Sequence, residues 1–488
     1  MKPDRYIAAV DLGTSKVALC VAKVTGDDVL VIYYKEEPSD GVRYSGVMYP
    51  RRVAEPLRRL VLDAETELNI QIRQLVAGLP RYKVRQVSAS AGMDRKDPAS
   101  LISREEVEEL KNNAVSTYPV EQEDREELYG AVVQSFSADE DFIGVSETDV
   151  IGLTAERIEG NFKVLLGARK PVSNLDLLFK DLGVTLARKF FVPDAVARAV
   201  LTESERKNGV ALVEIGSGVT SLAIYRGKVL RYYVSIPFAG WSVTNDIAIE
   251  CGFDERLAEN IKLAYGACLP GKLQSLSDKV LQIQDEETGS YEQLAVNYLS
   301  QIITFRVKEI IEAVLYKIRE SGYADRLAGG VVITGGGANL RNLPMMFKEM
   351  SGYKVRIGFP RKQLFGNFGY PGAQEAASGA AIGMILEAKR DERLNCAEDR
   401  DAERPVETEN QEPATEELFP PAPSEPGGVI VPSSPGTKTK GNKKTVTWIT
   451  RQAKRVEAAA KKTFDEKLGP IFDGMMQEGH DGADINNN

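Results

Sequence analysis

Two similar segments decide the fold: IAAVDLGTSKVALCVAK (residues 7–23) and VALVEIGSGVTSLAIYR (residues 210–226). In each, an apolar run ends in an acidic residue, an apolar residue and a glycine, passes through small hydroxyl residues and returns as a second apolar run. Each pattern predicts a β-hairpin. Because the pattern occurs twice, far apart in the chain, it predicts two homologous lobes that face a shared cleft.

The tips of the two predicted hairpins have the composition of phosphate-binding loops. Glycine at a tip lets backbone N–H groups point outward together, and hydroxyl and ammonium groups add further donors. Asp11 and Glu214 are suited to holding Mg²⁺ through water, because Mg²⁺ keeps most of its waters and needs few carboxylates. Two ordinary tight turns are the alternative interpretation. The candidate phosphate-binding residues are Gly13, Thr14, Ser15, Lys16, Gly216, Ser217, Gly218 and Thr220.

A third glycine cluster follows a third apolar run in GGVVITGGGANLRNLP (residues 329–344). A strand, a glycine turn and a helix start allow a flat ring to lie close to the backbone, so Gly335, Gly336 and Gly337 are candidates for an adenine contact. The sequence contains neither a G-x-x-x-x-G-K-[ST] loop nor a G-x-G-x-x-G fingerprint. The predicted nucleotide site is therefore neither of the P-loop nor of the Rossmann type.

Composition excludes several function classes. The net charge of −9 argues against nucleic acid as the main partner. His480, near the chain end, is the only histidine, which excludes a Ser-His-Asp or Cys-His hydrolase. The four cysteines form no CxxC pair, so buried free thiols are expected rather than a zinc site. Without a signal peptide or an apolar run that could span a bilayer, the protein is expected to stay in the cytoplasm.

Two phosphate loops in duplicated lobes and a late glycine loop resemble the actin, Hsp70 and sugar-kinase superfamily. Six stretches, residues 10–17, 45–61, 201–225, 236–252, 257–270 and 331–344, carry a more specific resemblance. Through them the chain resembles the FtsA family of bacterial cell-division proteins. That resemblance implies an α/β, actin-like two-lobed ATPase fold with an inserted FtsA-type subdomain. A disordered linker and a C-terminal amphipathic helix follow.

The domain organisation follows from the resemblance and from composition. Ser103 and Glu106 predict a capping box at the start of a helix in the insert. Repeated Glu, Asp and Pro with few large apolar groups predict the disordered linker. The expected parts are a first lobe (1–82 and 169–205), the inserted subdomain (83–168), a second lobe (206–389), an acidic Pro-rich linker (390–442), a membrane-targeting helix (443–476) and a disordered tail (477–488).

The resemblance also assigns residues outside the loops. Glu259 and Lys262 resemble the ribose and adenine contacts of the family; a surface ion pair is the alternative. The family places its contact with the tubulin-like division protein FtsZ near an amphipathic helix at residues 301–318, so Arg306 and Glu309 are partner candidates. A solvated charged face is the alternative there.

Departures from the family pattern predict weak or absent ATP hydrolysis with binding retained. The second loop begins with Glu214 and has Val219 and Ser221 where the family usually has threonine and aspartate. Val192 stands where relatives often have glutamate, and phosphoryl transfer to water needs a group that orients the nucleophile. Asp194 is a possible substitute.

The chain end predicts a basic amphipathic helix at a membrane surface. Residues 443–468 contain eight Lys or Arg and three Asp or Glu, and apolar residues recur every three or four positions. A helix that packs on the protein itself or on a partner is the alternative. The candidate membrane-contacting residues are Trp448, Ile449, Val456, Phe464, Leu468, Lys454 and Arg455.

Together, these features predict an ATP- and Mg-binding actin-like protein that polymerises and tethers the FtsZ ring to the cytoplasmic membrane. The protein is expected at the division site, on the inner face of the cytoplasmic membrane. The expected partners are further copies of the chain, FtsZ and other division proteins, and no nucleic acid. The alternatives are an actin-like adaptor of type IV pilus assembly, or a sugar kinase or Hsp70-type ATPase on the same fold.

Overall fold

The computed structural model of the chain describes residues 4–116, 118–120, 122, 124–284, 291–365 and 369–400. The strands are β1 (Arg5–Leu12), β2 (Lys16–Thr25), β3 (Asp28–Pro38), β4 (Val42–Arg43), β5 (Gly46–Val47), β6 (Ile70–Ile72), β7 (Gln74–Gly78), β8 (Arg85–Asp94), β9 (Glu126–Ala138), β10 (Phe142–Val145), β11 (Arg157–Ala168), β12 (Thr185–Phe190), β13 (Val210–Ile215), β14 (Thr220–Arg226), β15 (Val229–Ile236), β16 (Val280–Gln284), β17 (Tyr291–Ala295), β18 (Val331–Thr334), β19 (Val355–Ile357) and β20 (Ala397–Asp399). The α-helices are α1 (Pro50–Leu68), α2 (Arg104–Ser116), α3 (Glu147–Val150), α4 (Arg169–Leu182), α5 (Val192–Val200), α6 (Glu203–Asn208), α7 (Gly240–Cys251), α8 (Glu255–Tyr265), α9 (Val296–Glu320), α10 (Leu343–Ser351) and α11 (Gly379–Ala388).

Two five-stranded sheets of the same design form the two lobes. The first has the order β12-β7-β1-β2-β3 and the second the order β15-β14-β13-β18-β19. In each sheet, three consecutive antiparallel strands are continued by two strands that run parallel to the first of them. The predicted duplication of an α/β lobe is therefore confirmed by the strand topology.

Both predicted hairpins are present. β1 pairs with β2 from Arg5 to Leu12, and β13 pairs with β14 from Val210 to Ile215. The strands are buried over most of their length, because each sheet is covered by helices. The two acidic residues, Asp11 and Glu214, each lie one residue before the end of the first strand.

A separate four-stranded antiparallel sheet, with the order β10-β9-β11-β8, lies between β7 and α4 in the chain. It has its own hydrophobic core, which includes Leu110 of α2 with Phe136 and Phe162 of the sheet. The predicted capping box of α2 is confirmed: Glu106 N donates to Ser103 Oγ at 3.1 Å, and Ser103 N donates to Glu106 Oε2 at 2.9 Å.

The end of the described chain returns to the first lobe. α11 packs against α5 and β1, although the sequence-based division assigned residues 379–388 to the second lobe. β20 then pairs with β6, with Ala397 opposite Ile72, so ordered structure continues past the expected boundary at residue 389. Pairing between segments this far apart in sequence leaves no local signal in the amino-acid pattern.

The main hydrophobic core extends from the first sheet into the second lobe. Buried residues of β1, β2, α1 and α5 form one cluster with Tyr225 and Leu212 of the second sheet. Of the four thiols, those of Cys20, Cys268 and Cys396 are buried and that of Cys251 is half-buried, and all four are free. Within the described ranges, no helix is both long and apolar enough to cross a bilayer. The predicted linker from residue 401 onward, the basic helix and the tail lie outside the described residues.

Candidate functional site

The two hairpin tips have the same backbone geometry. Gly13 N donates to Lys16 O at 2.9 Å, and Gly216 N donates to Val219 O at 3.0 Å. Each hydrogen bond closes a tight turn directly after the strand that carries the acidic residue. The sequence repeat therefore corresponds to a repeat of turn structure, one turn in each lobe.

The two tips meet across the cleft. A Cβ atom added to Gly218 would lie 2.6 Å from Thr14 Oγ1, so only glycine allows this approach of the second loop to the first. The cavity between them has a volume of about 80 Å³. Small-molecule sites commonly have about 300–1,000 Å³, so this cavity is too small for a nucleotide with the tips in contact. The residues that line the cavity are Asp11, Gly13, Thr14, Ser15, Lys16, Ser45, Arg81, Glu214, Gly216, Ser217, Gly218, Val219, Ser221, Gly335, Gly336 and Ala377.

Arg81 joins the two acidic residues and was not singled out by the sequence. Its Nη1 donates to Glu214 of the second lobe, and its Nη2 lies 3.3 Å from Asp11 Oδ1 of the first. All three side chains are only about one-eighth exposed, at 12%, 13% and 12% for Arg81, Asp11 and Glu214. A guanidinium group therefore lies where the sequence predicted a hydrated metal ion.

The main chain of Arg81 is also held by both lobes. Its N–H donates to Ser45 Oγ at 2.8 Å, and its carbonyl accepts from Tyr233 Oη at 2.6 Å. No motif marks Arg81, but its place along the chain could have indicated it. β7 runs parallel to β1, with Ala77 opposite Val10, so the residues that follow β7 leave the sheet at the edge where Asp11 lies.

Burial and charge act together on these groups. Burial raises the pKa of Asp11, with Arg81 acting in the opposite direction. Burial lowers the pKa of Arg81, but the Glu214 and Asp11 carboxylates outweigh it and raise that pKa above its ordinary value. Arginine does not lose its proton in proteins, so Arg81 is a permanent positive charge between two carboxyl groups.

The predicted Mg²⁺ ligands do not fit a divalent cation in this arrangement. Both Asp11 and Glu214 are engaged by Arg81. Across the part of the chain that the structure describes, no group of three or more His, Cys, Asp or Glu residues is arranged to hold a metal ion. A cation at this position would first have to displace the guanidinium group.

Two predicted phosphate contacts, Thr220 and Lys16, are bound to other groups of the protein. Thr220 is fully buried and its hydroxyl donates to Phe238 O at 2.6 Å, whereas the adjacent Ser221 lines the cavity. This corrects the choice of Thr220, because adjacent strand residues face opposite sides. Lys16 lines the cavity, but its ammonium group is paired with Glu36 of β3.

The glycine loop after β18 divides into packing and open positions. Gly335 has φ +84°, and a Cβ there would lie 2.5 Å from Ile215 O. A Cβ at Gly337 would lie 2.4 Å from Ile215 Cγ2, while one at Gly336 would meet nothing within 4 Å. Gly335 and Gly337 thus let the loop pack on the end of β13, and Gly336 has open space beside it.

Glu259 and Lys262 lie on one face of α8, as predicted, and bind each other. Lys262 Nζ lies 2.7 Å from Glu259 Oε2 and donates to Gly240 O at 3.0 Å and Thr244 Oγ1 at 2.7 Å. Burial lowers the pKa of Lys262. Since Gly240 N donates to Gly216 O, this pair braces the start of α7 against the second hairpin tip.

Asp194, named above as a substitute for a water-orienting glutamate, is bound to Tyr225. Its Oδ1 accepts from Tyr225 Oη at 2.7 Å, and burial raises its pKa. Val192 is buried, and a Cβ added to Gly78 would lie 2.3 Å from its Cγ2. Neither residue belongs to the lining of the cavity described above.

Arg306 and Glu309, the partner candidates, form an internal brace. Arg306 Nε and Nη2 lie 2.6 and 2.8 Å from the carboxylate of Asp246 on α7, and Nη1 lies 2.6 Å from Glu309 Oε2. The Arg306 side chain is 10% exposed. A partner that used these residues would have to compete with Asp246.

Comparisons with known proteins agree with the resemblance seen in the sequence. Residues 211–383 match the family model described as cell division protein FtsA. The cell division protein FtsA of Neisseria meningitidis serogroup B is 27% identical over 362 residues, which covers 74% of this chain and 85% of that protein. The cell division protein FtsA of Escherichia coli strain K12 is 28% identical over 391 residues, which covers 78% and 90%.

A solved structure matches at the level of the fold. A chain of the PilM-PilN type IV pilus biogenesis complex has a TM-score of 0.52 at 16% identity, covering 79% of this chain and 99% of that one. At this identity the likeness concerns the fold alone. The predicted two-lobed actin-like fold is therefore confirmed, while the likeness carries no statement about pilus assembly.

Proposed function

We propose that the chain is a member of the FtsA family of cell-division proteins, to which it is similar over most of its described length, and that it binds ATP between its lobes, polymerises and tethers an FtsZ-like polymer to the membrane. The family supports an actin-like role in cell division. The observation that carries the nucleotide part is the pair of equivalent turns, at Gly13 and Gly216, that face each other across one cleft.

The cleft offers the donors that a polyphosphate needs. The turns at Gly13 and Gly216 carry clustered backbone N–H groups, and Thr14, Ser15 and Ser217 add hydroxyl groups on the same lining. Gly336 leaves open space beside the loop for a flat base. Because the tips touch at Thr14 and Gly218, nucleotide entry is coupled to separation of the lobes, which gives ATP a means to control polymerisation.

Hydrolysis is proposed to be slow or absent. Val192 has no group that can orient a water molecule, and Asp194 is engaged by Tyr225. The test is ATP turnover by the purified, polymerised protein, with radiolabelled ATP as substrate. Turnover at or near the spontaneous rate supports the proposal, and robust Mg²⁺-dependent turnover refutes it.

Membrane attachment is assigned to the basic amphipathic sequence at the chain end. Each basic residue near an anionic leaflet contributes at most about 1 kcal/mol, so one such segment binds weakly. A polymer displays many copies, and this multivalency raises the overall affinity by about 10²–10⁴. ATP-controlled polymerisation and membrane binding would therefore be linked.

Flotation with anionic liposomes tests this assignment. The full chain is expected to float with the liposomes, and removal of residues 445–488 to abolish flotation while nucleotide binding remains. The double variant Trp448→Ala with Phe464→Ala removes two large apolar side chains at constant charge and should weaken flotation. The matched control replaces the neighbouring Thr447 and Thr463 by alanine. Flotation of the truncated chain would refute the membrane assignment.

The contact with the tubulin-like partner is proposed to involve the surface around α9. Lys308 and Glu312 of this helix are more than half exposed, unlike Arg306, so they are accessible without breaking the brace to Asp246. Contacts with further copies of the chain and with other division proteins complete the proposal, and nucleic acid has no place in it.

A further inference from the structure

Arg81 is a positive charge built into the cleft between the lobes. We propose that Arg81 takes the place of a divalent cation there, so that the chain binds nucleotide without Mg²⁺. The proposal rests on the nucleotide binding proposed above and concerns how the negative charge of that same site is neutralised. Its basis is the bridge from one guanidinium group to Glu214 of one lobe and Asp11 of the other.

The bridge is a built feature rather than a surface ion pair. Arg81 is held at four points, through Glu214, Asp11, Ser45 and Tyr233, two in each lobe. Tyr233 is itself fixed, since its ring packs edge-on against Phe191 at 5.0 Å between ring centroids. With the tips in contact, the guanidinium group therefore lies in one position, between the two carboxylates.

This position is the one a cation would need. Asp11 and Glu214 occupy equivalent places at the ends of β1 and β13, and their shared partner neutralises both. A divalent ion would have to expel a group that is mostly buried and permanently charged, and the expelled arginine would leave its contacts in both lobes unsatisfied. Arg81 therefore excludes the ion instead of binding beside it.

Removing the charge of Arg81 should make the site require a divalent cation. In Arg81→Gln, two largely buried carboxylates face one cavity without a counter-ion, and like charges in a site of low dielectric repel strongly. The variant should recruit a divalent cation to this position and should repel a metal-free triphosphate. Arg81→Lys keeps the charge, and should therefore keep the exclusion of the ion.

The effect on nucleotide affinity is measured by titrating the full chain with a fluorescent ATP analogue (mant-ATP), in Mg²⁺ and in EDTA. Wild type should bind equally in both buffers, within about twofold, whereas Arg81→Gln should bind at least about tenfold more weakly in EDTA and recover in Mg²⁺. Wild-type binding that falls tenfold or more in EDTA overturns the proposal, and this result needs no variant.

Arg157→Gln is the matched control. Arg157 also bridges two carboxylates, at 2.8 Å from Asp94 and 3.0 Å from Glu159, but its side chain is 49% exposed and lies in the insert. Arg157→Gln should behave as wild type in both buffers. Circular dichroism establishes that each variant is folded.

Electron paramagnetic resonance with Mn²⁺, without nucleotide, separates this proposal from nucleotide binding itself. Wild type, Arg81→Lys and Arg157→Gln should take up no Mn²⁺, and Arg81→Gln should take up one equivalent. Equal uptake by wild type and Arg81→Gln, or none by either, overturns the proposal. If wild type binds no mant-ATP in either buffer, the proposed nucleotide function fails, while the Mn²⁺ measurement still decides whether Arg81 stands in for the ion.

Discussion

Alanine at Gly335 should destabilise the second lobe, whereas alanine at the next residue, Gly336, should not. Gly335 has a left-handed φ of +84°, and its Cβ would meet the carbonyl of Ile215 at 2.5 Å for the oxygen and 2.9 Å for the carbon. Both obstacles are backbone, so no side-chain rotation removes them. At Gly336 an added Cβ would find open space.

The expected loss of folding free energy has two contributions, the left-handed backbone at Gly335 and the overpacking against Ile215. A left-handed backbone costs a residue with a Cβ about 1–2 kcal/mol, and overpacking typically costs about 1–3 kcal/mol. The sum is about 2–5 kcal/mol. With an unfolding entropy of about 2.1 cal mol⁻¹ K⁻¹ per residue over the unit that ends at Arg400, this lowers Tm by about 2–6 °C.

Differential scanning calorimetry of wild type, Gly335→Ala and Gly336→Ala makes the comparison. Gly336→Ala should melt within about 1 °C of wild type, since its substitution meets no atom and needs no unusual φ. Equal Tm values for the two variants would refute the reasoning, because they would mean that the loop does not pack on Ile215 as described.

Two further predictions concern the brace between α7 and α9. Arg306→Gln leaves the carboxylates of Asp246 and Glu309 without their cation and should lower the free energy of unfolding by about 1–3 kcal/mol in urea titrations. The control Lys308→Gln changes an exposed side chain and should alter the free energy of unfolding by less than about 0.5 kcal/mol, so equal losses in the two variants would contradict the brace. Burial raises the pKa of Glu309 from its ordinary 4.5 to about 6, so in this interval the folded protein keeps a proton that the unfolded chain has lost. The stability that this group contributes is complete below about pH 4.5 and is lost as the pH rises through about 6. Urea titrations across that window should show a smaller fall in Glu309→Gln than in wild type, because other buried carboxyl groups still contribute, and an identical fall in both would contradict the assignment.

The sequence predicted the duplicated architecture because the repeat is a local pattern. Each hairpin is encoded within seventeen consecutive residues, and the capping box at Ser103 and Glu106 within four. The pattern of apolar residues and the positions of capping residues and glycines are sufficient to predict such features. The turns at Gly13 and Gly216 therefore match the structure in detail.

Features that depend on long-range packing were missed. Arg81 reaches Glu214 across more than a hundred residues of chain, and no motif marks it. β20 joins β6 across an even longer separation. Arg306 was a partner candidate because the family resemblance places a contact near its helix, but its side chain is only 10% exposed and is paired with Asp246 of α7. Thr220 was a candidate phosphate contact, but its hydroxyl donates to Phe238 O, and the neighbouring Ser221 lines the cavity instead.

The proposed tethering of a tubulin-like polymer to the membrane is tested most directly by flotation of three components. Polymers of the tubulin-like partner, anionic liposomes and the full chain with ATP are mixed and separated on a density gradient. The polymer should float with the liposomes only when the full chain is present, and should stay at the bottom when residues 445–488 are removed. Flotation of the polymer with the truncated chain, or none with the full chain, would contradict the proposed function.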